Sequence, residues 1–392
     1  MMNERTFDLL IIGGGVMGSS IAYHLANDGF KGRIAVFEKD PTYEKASTVL
    51  SVGGIRRQFS TEVNVRLSQY SLAFYQEFGE RMEMGGERPE IDFKPRGYLF
   101  LGSEKNWPIL VRHQAFQKSL SVETQLLNVK ETLQLIPDLN TEDLVGSSFS
   151  AGDGYMDPHS VLQGFVRKAR HLGVEFIHQE VVEIVRKGER LEGVKTKDGT
   201  TYFSSSIVNA AGPYAGEVGK MAEIEIPVVP VRRMVYLVKP PRLFEYDLPL
   251  VIDTSGVYFL HETGKQILTG KSRKEEPPGF NYVWDRNYFQ EAIWPSLAHR
   301  IPLFDELKVV SGWAGLYEVN RWDSNGIIGE HPVVRGFYMA VGFSGHGFQQ
   351  APAVGKALSE RIRLRRYETV DVSPLGYERI LEGRKVLEEE VI

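Results

Sequence analysis

Continuous apolar runs flank a segment of helical spacing at the start of the chain. Residues 7–12, FDLLII, form a run typical of a strand that is buried on both faces. Residues 16–28 carry Ile21 and Leu25 at helical spacing, and residues 33–39, RIAVFEK, form a second buried run. This order predicts a strand, a helix and a second strand that together make a βαβ unit.

Helical patterns recur through the first half of the chain. Helical spacing predicts helices over residues 61–82 and 104–119. A third helix is predicted over 157–173, with Asp157 as its N-cap and Gly173 at its end.

Patterns typical of β structure dominate the second half. Short β runs fill residues 174–209 and include a hairpin signal at Asp198–Gly199. Proline-rich β sequence follows over about residues 226–320, and a last apolar strand within 336–348 leads into a helix over 349–364. Elements typical of nucleotide-binding domains thus recur at both ends and in the middle, so we expect two domains, each built from separated pieces of chain.

Composition excludes several kinds of chemistry. The chain has 392 residues with a net charge of −5, which gives no general attraction to nucleic acid. It has no cysteine, which excludes disulfides, thiolate metal centres, a cysteine nucleophile and a thioether link to a cofactor, and which fits a cytoplasmic location. No apolar run approaches the roughly 18–20 residues of a transmembrane segment. No histidine pair is spaced as zinc ligands on one helix, and we expect no metal site.

The junction between the first strand and the first helix carries a glycine motif. In GGGVMG, Gly13 permits a tight turn, Gly15 lets a pyrophosphate approach the backbone, and Gly18 lets the helix pack closely on the strand. Glu38 ends the second strand, where a carboxylate can hold both hydroxyls of a ribose. The motif predicts a bound dinucleotide and does not choose between NAD and FAD.

Two later segments also place small residues at the end of a buried strand. The segment IVNAAG ends in Ala210, Ala211 and Gly212, where either a flat group approaches or the strand simply stops. The segment GFSGHGFQQAP, residues 342–352, sets three glycines between a strand and a helix. Two glycine-bearing helix N-termini from opposite ends of the chain suit one long cofactor, with the second facing the electron-rich end of a flavin.

Arginine and aromatic residues stand near these glycines. Arg56 follows Gly53–Gly54, and an arginine there can hold a substrate carboxylate through two hydrogen bonds. We expect the neighbouring Arg57 at the surface. Residues 311–329 hold three aromatic side chains that either wall a cavity or pack in a core. They are Trp313, Tyr317 and Trp322.

Taken together, the segments resemble the D-amino-acid oxidase superfamily of flavoproteins. The resemblance is carried by GGGVMG, ASTVLSVGGIRRQFS, DGYMDPHSVLQGF, IVNAAG, WAGLYEVNRWDSNGIIGEHP and GFSGHGFQQAP. Within the superfamily the chain most resembles the group called FAD-dependent oxidoreductase domain-containing protein 1. Sarcosine oxidases, glycine oxidases and the β subunit of proline dehydrogenase are more distant relatives.

The resemblance implies an α/β (α+β) fold with two discontinuous domains. One is a glutathione-reductase-type, Rossmann-like FAD-binding domain formed by residues 1–90, 150–222 and 321–392. The other is a substrate domain with a large mixed or antiparallel β-sheet, formed by residues 91–149 and 223–320.

The resemblance also implies which residues bind the cofactor. The adenosine and phosphate half would be held by Gly13, Gly15, Gly18, Glu38, Ser47 and Thr48, and the nucleotide lined by Val181 and Ala211. Gly345, Gly347 and Phe348 would lie at the flavin ring. The remaining cofactor-binding positions are Val16, Met17, Lys39, Gly53, Gly54, Ala210, Gly212, Gly315, Gly342, His346 and Gln349.

The implied reaction is oxidation of the C–N bond of a small amine or amino acid, similar to sarcosine, proline or glycine. Hydride transfer to flavin N5 would leave an imine, which water hydrolyses. Arg56 would anchor the substrate carboxylate, while Tyr258 and Tyr317 would wall the pocket or donate hydrogen bonds. His346 and Gln349 would lie at the flavin edge, although His346 as a plain loop residue and Tyr258 as a core residue stay open.

Three positions depart from the family pattern. Gly315 stands where sarcosine oxidases with a covalent flavin carry cysteine, so we expect noncovalent FAD. Leu268 stands where single-chain oxidases place a lysine that activates oxygen, so we expect slow use of oxygen. Gln349 replaces a lysine that partners the arginine at position 56 on the substrate carboxylate, which removes one of the two expected cations.

Other functions stay open at this point. An NAD-dependent dehydrogenase would share the first glycine motif but would leave residues 342–352 without a role. A weakly catalytic flavoprotein could instead serve as an assembly partner of a respiratory complex, with peripheral association at a membrane. A third alternative is one subunit of a multi-subunit dehydrogenase, in which a second subunit accepts the electrons.

Overall fold

The computed structural model describes residues 5–273 and 275–389, and two large β-sheets organise these residues. Strands and helices are numbered in chain order. The first sheet has six strands, and the second has eight. The strands of the six-stranded sheet, in spatial order, are β18 (Ile327–Glu330), β19 (Phe337–Val341), β12 (Ile207–Asn209), β1 (Leu9–Ile12), β2 (Ile34–Phe37) and β8 (Glu175–Ile177).

The eight-stranded sheet is mixed, with one parallel pair among antiparallel neighbours. Its strands, in spatial order, are β17 (Lys308–Asn320), β13 (Val228–Lys239), β16 (Ile267–Lys271), β15 (Val257–His261), β14 (Leu250–Ile252), β4 (Tyr98–Gly102), β6 (Gly146–Ser150) and β5 (Gln125–Asn128). Two smaller sheets complete the β structure. The three-stranded sheet consists of β11 (Thr201–Phe203), β10 (Arg190–Thr196) and β9 (Val181–Lys187). The two-stranded sheet consists of β3 (Gly54–Ile55) and β7 (Gly154–Tyr155).

Helices cover the faces and edges of these sheets. The α-helices are α1 (Val16–Asn27), α2 (Glu62–Gln76), α3 (Phe78–Arg81), α4 (Trp107–Ser119), α5 (Val129–Leu135), α6 (Pro158–His171), α7 (Ala215–Met221), α8 (Arg286–Tyr288), α9 (Trp294–Arg300), α10 (Gly347–Leu364) and α11 (Glu378–Leu381). The shorter helical turns span Gly212–Tyr214, Thr263–Lys265, Phe289–Ile293, Pro302–Glu306 and Ser373–Leu375.

The predicted βαβ unit is confirmed in β1, α1 and β2. β1 pairs in parallel with β2 and, on its other side, with β12, which pairs in parallel with β19. All four strands are fully buried, as their continuous apolar sequences predict. Because neighbouring parallel strands end at the same edge of a sheet, the segments that follow β1, β12 and β19 meet there.

Close helix packing holds the two ends of the chain together on one face of the six-stranded sheet. Ser20 in α1 donates a hydrogen bond from its hydroxyl to the carbonyl oxygen of Ala351 in α10 at 2.8 Å. A Cβ atom at Gly355 would lie 2.3 Å from the Ser20 hydroxyl oxygen, so glycine is required for this approach. The N-terminal and C-terminal parts of the chain therefore share one apolar core.

Local predictions hold well, with one change in a helix. Asp157 caps α6 by accepting hydrogen bonds from the backbone N–H groups of His159 and Ser160, as predicted. The helix predicted over residues 61–82 is interrupted at Glu77, whose backbone is non-helical (φ −102°, ψ 11°). The strands of each large sheet come from separated stretches of chain, and the domain boundaries given above stay a prediction.

Candidate active site

A large cavity of about 1180 Å³ lies where the ends of β1, β12 and β19 face the eight-stranded sheet. Nearly all the predicted site residues line it. Those from the N-terminal part are Gly13, Gly15, Val16, Met17, Glu38, Lys39, Ser47, Thr48, Gly53, Gly54 and Arg56. Those from the rest of the chain are Val181, Ala210, Ala211, Gly212, Tyr258, Gly315, Tyr317, Gly345, His346, Gly347, Phe348 and Gln349. Gly18 and Gly342 do not line it.

The turn between β1 and α1 needs glycine for two different reasons. Gly13 has φ +104°, and a Cβ there would lie 2.3 Å from the carbonyl oxygen of Ala210. Gly15 has ordinary backbone angles, and the nearest atom to its added Cβ is Thr48 Oγ1 at 3.6 Å. Gly13 thus lets two strand ends approach, whereas Gly15 leaves open space beside the helix N-terminus. Gly18 is a packing residue, since a Cβ there would lie 1.9 Å from the carbonyl oxygen of Gly13.

The carboxylate of Glu38 is held in place at the end of β2. Its Oε2 accepts a hydrogen bond from the Gly14 N–H at 2.9 Å, and its Oε1 accepts one from the Asp40 N–H at 2.8 Å. Burial raises the pKa of Glu38. On the same side, Thr48 Oγ1 accepts from the N–H of Val16 at 3.2 Å. These contacts fix an acceptor group beside the N-terminus of α1.

This part of the cavity fits an adenine dinucleotide. The N-cap residue of α1, Gly15, has no side chain to cap the helix, so N–H groups of the first turn other than that of Val16 can bind phosphate. The open space at Gly15 would be filled by any larger residue, and Glu38 lines the same part of the cavity with a carboxylate that can accept hydrogen bonds. At the rim, Lys39 Nζ lies 3.1 Å from the ring centroid of Tyr214, which stacks on Phe280 at 4.4 Å.

The glycine-rich loop before α10 is anchored from the eight-stranded sheet. Gly342 has φ +77°, and its N–H donates to Oε2 of Glu318 in β17 at 2.8 Å, so Gly342 supports the cavity wall from behind. Gly345 has φ +103°, and a Cβ there would lie 2.5 Å from the ring of Tyr317. The loop backbone therefore packs directly against an aromatic residue of the cavity wall.

His346 is the N-cap residue of α10 and is buried, with 5% of its surface exposed. Burial, and secondarily the charge of Arg56, lowers the pKa of His346 to about 3, so the imidazole is neutral near pH 7. Its ring lies edge-on to Phe59 at 5.1 Å. Its Nδ1 is buried and has no hydrogen-bond partner among the described residues.

Arg56 is a buried cation, with 3% of its surface exposed. Its Nη1 donates a hydrogen bond to the carbonyl oxygen of Gln58, and its guanidinium carbon lies 4.2 Å from the ring centroid of Phe59. Its backbone N–H donates to Oε1 of Gln349 at 3.0 Å. Among the described residues, no carboxylate forms an ion pair with Arg56, so its charge is available to an anion from the cavity.

Arg57, which was predicted to lie at the surface, is half-buried, with 20% of its side chain exposed, and does not line the cavity. Its side chain forms an ion pair with the fully buried Asp153 at 2.6 Å, and its backbone N–H donates to the same carboxylate at 2.9 Å. The pairing of β3 with β7 brings Asp153 beside this segment, which the sequence separation of 96 residues concealed. Arg57 therefore has a structural role in holding the wall that carries Arg56.

Tyrosines form the inner wall of the cavity. Burial raises the pKa of Tyr98 to about 12 and raises those of Tyr258 and Tyr317 as well, so all three hydroxyls stay protonated near pH 7. The other two aromatic residues proposed for the wall do not line the cavity. Trp313 donates from its indole N–H to the carbonyl oxygen of Leu50, and Trp322 to that of Arg384.

Many of the residues that line the cavity were not predicted from the sequence, and Tyr98, Arg233 and Glu318 are the ones among them that matter for the chemistry. Burial raises the pKa of Glu318 to about 7, against two backbone hydrogen bonds from Gly342 and Phe343 that lower it. The sequence held a signal for Arg233, because the Arg232–Arg233 doublet repeats the pattern of residues 56–57. The only signal for Glu318 in the sequence was its position directly after Tyr317.

Leu268, the position at which related oxidases place a lysine, is buried in an apolar cluster of the eight-stranded sheet and does not line the cavity.

The described residues contain neither a metal cluster nor a membrane-spanning helix. Within that part of the chain, no group of three or more histidine or acidic side chains is arranged to hold a metal ion. In the same residues, no helix has both the length and the apolar character needed to cross a membrane.

Comparisons with known proteins agree with this geometry. The FAD dependent oxidoreductase (DAO) family matches residues 8–361. FAD-dependent oxidoreductase domain-containing protein 1 from Xenopus laevis is 37% identical over 422 residues, which covers 98% of this chain and 85% of the relative. The crystal structure of L-proline dehydrogenase from P. horikoshii superposes with a TM-score of 0.88 at 28% identity, covering 97% of this chain and all of that one.

A glycine oxidase structure from Geobacillus kaustophilus gives a TM-score of 0.82 at 26% identity, covering 95% of this chain and 98% of its own. The family match and the cavity agree on FAD, so the NAD-dependent dehydrogenase left open by the first glycine motif is set aside. The chain belongs to the DAO family of FAD-dependent oxidoreductases.

Proposed function

We propose that this protein oxidises the C–N bond of a small amine or amino acid that carries an acidic group. The observation that carries the proposal is Arg56, a buried guanidinium in the cavity wall that has no acidic partner among the described residues. Burial of an unpaired charge is costly, and a substrate carboxylate would relieve that cost through two parallel hydrogen bonds. The names of the L-proline dehydrogenase and the glycine oxidase to which the chain is similar support this class of substrate.

The cofactor would lie along the cavity between the N-termini of α1 and α10. Gly13, Gly15, Glu38 and Thr48 would hold its adenosine and phosphate half, and residues 345–349 would lie at the ring. When bound, FAD supplies the two-electron acceptor for the C–H bond next to the amine nitrogen. With Gly315 in place of a cysteine, we propose that FAD is held without a covalent bond at this position.

The protein's own contribution would be orientation and exclusion of water. Arg56 would fix the acidic group of the substrate, while Tyr258 and Tyr317 would confine its apolar part. A fixed position for the reacting C–H bond can lower the barrier by several kcal/mol. The substrate loses a hydride from carbon and a proton from nitrogen, and water then converts the imine to a carbonyl compound and an amine. His346, which is neutral near pH 7, adds no competing positive charge beside Arg56.

The second part of the proposal concerns the acceptor that takes the electrons from the reduced flavin. The lysines among the cavity-lining residues are Lys39, Lys45 and Lys197, and none lies in the inner wall formed by the tyrosines. The family resemblance implies that a lysine near the ring speeds the reaction with oxygen. We therefore propose an acceptor other than oxygen, which fits a dehydrogenase that passes its electrons to another protein.

A spectrum and a substrate screen test the proposal. The purified protein should show flavin absorption after loading with FAD, and one or more of sarcosine, proline, glycine and other D- and L-amino acids should bleach it without oxygen. A dye acceptor should restore the oxidised spectrum. Bound FAD that no amine or amino acid reduces would contradict the proposed function and would favour the role of an assembly partner.

A further inference from the structure

Two arginine doublets each place one member in the cavity wall, and the other member of each doublet is neutralised by an acid. In the first doublet, Arg57 is paired with Asp153 at 2.6 Å. In the second, Arg232 is paired with Glu276 through two contacts of 2.8 Å and 3.1 Å. Both acids are almost fully buried, so each holds its arginine as part of the scaffold.

The other member of the second doublet, Arg233, is left without an acidic partner. Its Nη1 donates to the carbonyl oxygen of Arg232 at 3.0 Å, and its Nε is buried with no hydrogen-bond partner among the described residues. No ion pair joins Arg233 to an acid in residues 5–273 or 275–389. Arg233 lines the cavity, so its charge lies close to any molecule bound there.

Arg233 and Arg56 belong to the same pocket. Arg233 lies opposite Gly315 in the pairing of β13 with β17, and its guanidinium carbon is 5.2 Å from the ring centroid of Tyr317. Burial raises the pKa of Tyr317, and both Arg233 and Arg56 oppose that rise, so both charges act on one hydroxyl. The loop that carries Gly345 packs on the same ring.

Two unpaired cations in one pocket call for two negative charges. Six acids among the described residues line the cavity, and the one that follows Tyr317 in the sequence, Glu318, already accepts hydrogen bonds from the backbone of Gly342 and Phe343. A bound monocarboxylate would pair with one guanidinium and leave the other without an acidic partner. Arginine binds a carboxylate through two hydrogen bonds of fixed geometry, so each cation can select one acidic group.

We propose that the substrate is an amine that carries two carboxylates, one held by Arg56 and the other by Arg233. This inference rests on the proposed oxidation of an amine with an acidic group, and it names the class of that substrate. The second carboxylate distinguishes such a substrate from sarcosine, proline and glycine. Arg233 is then a residue that determines specificity, placed on a strand of the eight-stranded sheet.

Equilibrium binding of acids that cannot be oxidised tests this inference without turnover. The FAD-loaded protein is titrated with malonate, succinate and glutarate, and with acetate and propionate, while the visible spectrum of the flavin is followed. We expect at least one dicarboxylate to bind ten- to a hundredfold more tightly than the monocarboxylates, about the effect of one charged hydrogen-bonded contact. The series of chain lengths reports the spacing between the two anion sites.

Variants locate the second anion site. Arg233→Gln should weaken binding of the best dicarboxylate by about ten- to a hundredfold and leave the affinity for the monocarboxylates unchanged. Arg233→Lys should restore part of the loss, and Lys239→Gln, which removes an exposed charge from the far end of the same strand, should change nothing. Retained FAD content and an unchanged melting temperature show that each variant is folded.

Three results would overturn the inference. The first is dicarboxylate affinity that is insensitive to Arg233→Gln, and the second is a failure of every dicarboxylate to bind more tightly than acetate. The third is a parallel loss of FAD and of both kinds of acid in Arg233→Gln, which would place Arg233 against the cofactor. If dicarboxylates bind through Arg233 but no amine reduces the flavin, the anion site stands and only the proposed oxidation fails.

Discussion

The backbone N–H of Arg56 donates a hydrogen bond to Oε1 of Gln349 at 3.0 Å, across 293 positions of the sequence. This contact joins the segment that carries the proposed substrate anchor to the first turn of α10. Because both residues are buried, the position of the Arg56 guanidinium depends on a side chain from the other end of the chain.

Replacement of Gln349 should therefore loosen the anchor. Gln349→Ala leaves the Arg56 N–H buried without its acceptor, and we expect a loss of about 1–3 kcal/mol in the free energy of unfolding. Urea denaturation followed by tryptophan fluorescence measures this loss. Gln125→Ala, the same truncation at an exposed position of β5, should change the free energy by less than about 0.5 kcal/mol. Equal effects of the two substitutions would contradict the role assigned to Gln349.

Removal of the Arg56 charge should act on substrate binding. Arg56→Gln should raise KM for carboxylated amines by about ten- to a hundredfold, because a charged hydrogen-bonded contact to the substrate is lost. Steady-state assays with a dye acceptor separate KM from kcat. Arg66→Gln removes a charge from an exposed ion pair with Glu62 and should leave both constants unchanged. An unchanged KM in Arg56→Gln would remove this residue from the substrate site.

The two glycines of the first turn should respond differently to the same added methyl group. Gly15→Ala has room for its Cβ and an ordinary backbone, so the FAD-free protein should keep its melting temperature while FAD binds more weakly. In Gly13→Ala the added Cβ would lie 2.3 Å from the carbonyl oxygen of Ala210, so this substitution should destabilise the FAD-free protein itself. Thermal melts and titration of FAD fluorescence measure the two effects. Normal FAD affinity in Gly15→Ala would contradict the phosphate site at this helix N-terminus.

Glu318 should make stability depend on pH. Burial raises the pKa of its carboxyl from 4.5 to about 7, so between these values the folded protein holds a proton that the unfolded chain has released. The contribution of Glu318 is therefore fully present below pH 4.5 and is lost as pH rises to about 7. Glu318→Gln should remove a decline on the order of 2 kcal/mol between pH 5 and pH 8. Denaturation at both pH values measures it, and parallel pH dependence in the two proteins would contradict this assignment.

Oxygen should be a poor acceptor for the reduced protein. Among the described residues, no lysine stands in the tyrosine wall of the cavity. With a substrate that reduces the flavin, dye reduction should exceed oxygen uptake by at least about tenfold, a difference of about 1.4 kcal/mol in the barrier. Equal rates in the two assays would show that oxygen is activated by another group.

Local features of the fold were readable from the sequence because short-range physics determines them. The apolar runs of β1 and β2, the glycine turn between β1 and α1, and the Asp157 cap each depend on neighbouring residues only. The sequence indicated that the glycine-bearing segments after β1 and β19 bind one cofactor, but the parallel pairing of β12 between these two strands was not predicted.

Features that depend on long-range pairing were not readable. Arg57 was misplaced because its partner Asp153 lies 96 positions away and is brought close only by the pairing of β3 with β7. Arg233 lines the cavity because β13 pairs with β17 in a register that sets Arg233 opposite Gly315, and a shift of β13 by one residue would turn its side chain to the other face. The sequence alone does not specify that register.

The common edge formed by β1, β12 and β19 also has a consequence for biosynthesis. These strands begin at Leu9, Ile207 and Phe337, and the last wall of the cavity is the turn that leads into α10. That wall can form only after Gly347 has left the ribosome. A nascent chain stalled before Gly347 would hold the phosphate-binding turn without the opposite wall of its pocket, so the complete FAD pocket forms late in synthesis of this segment.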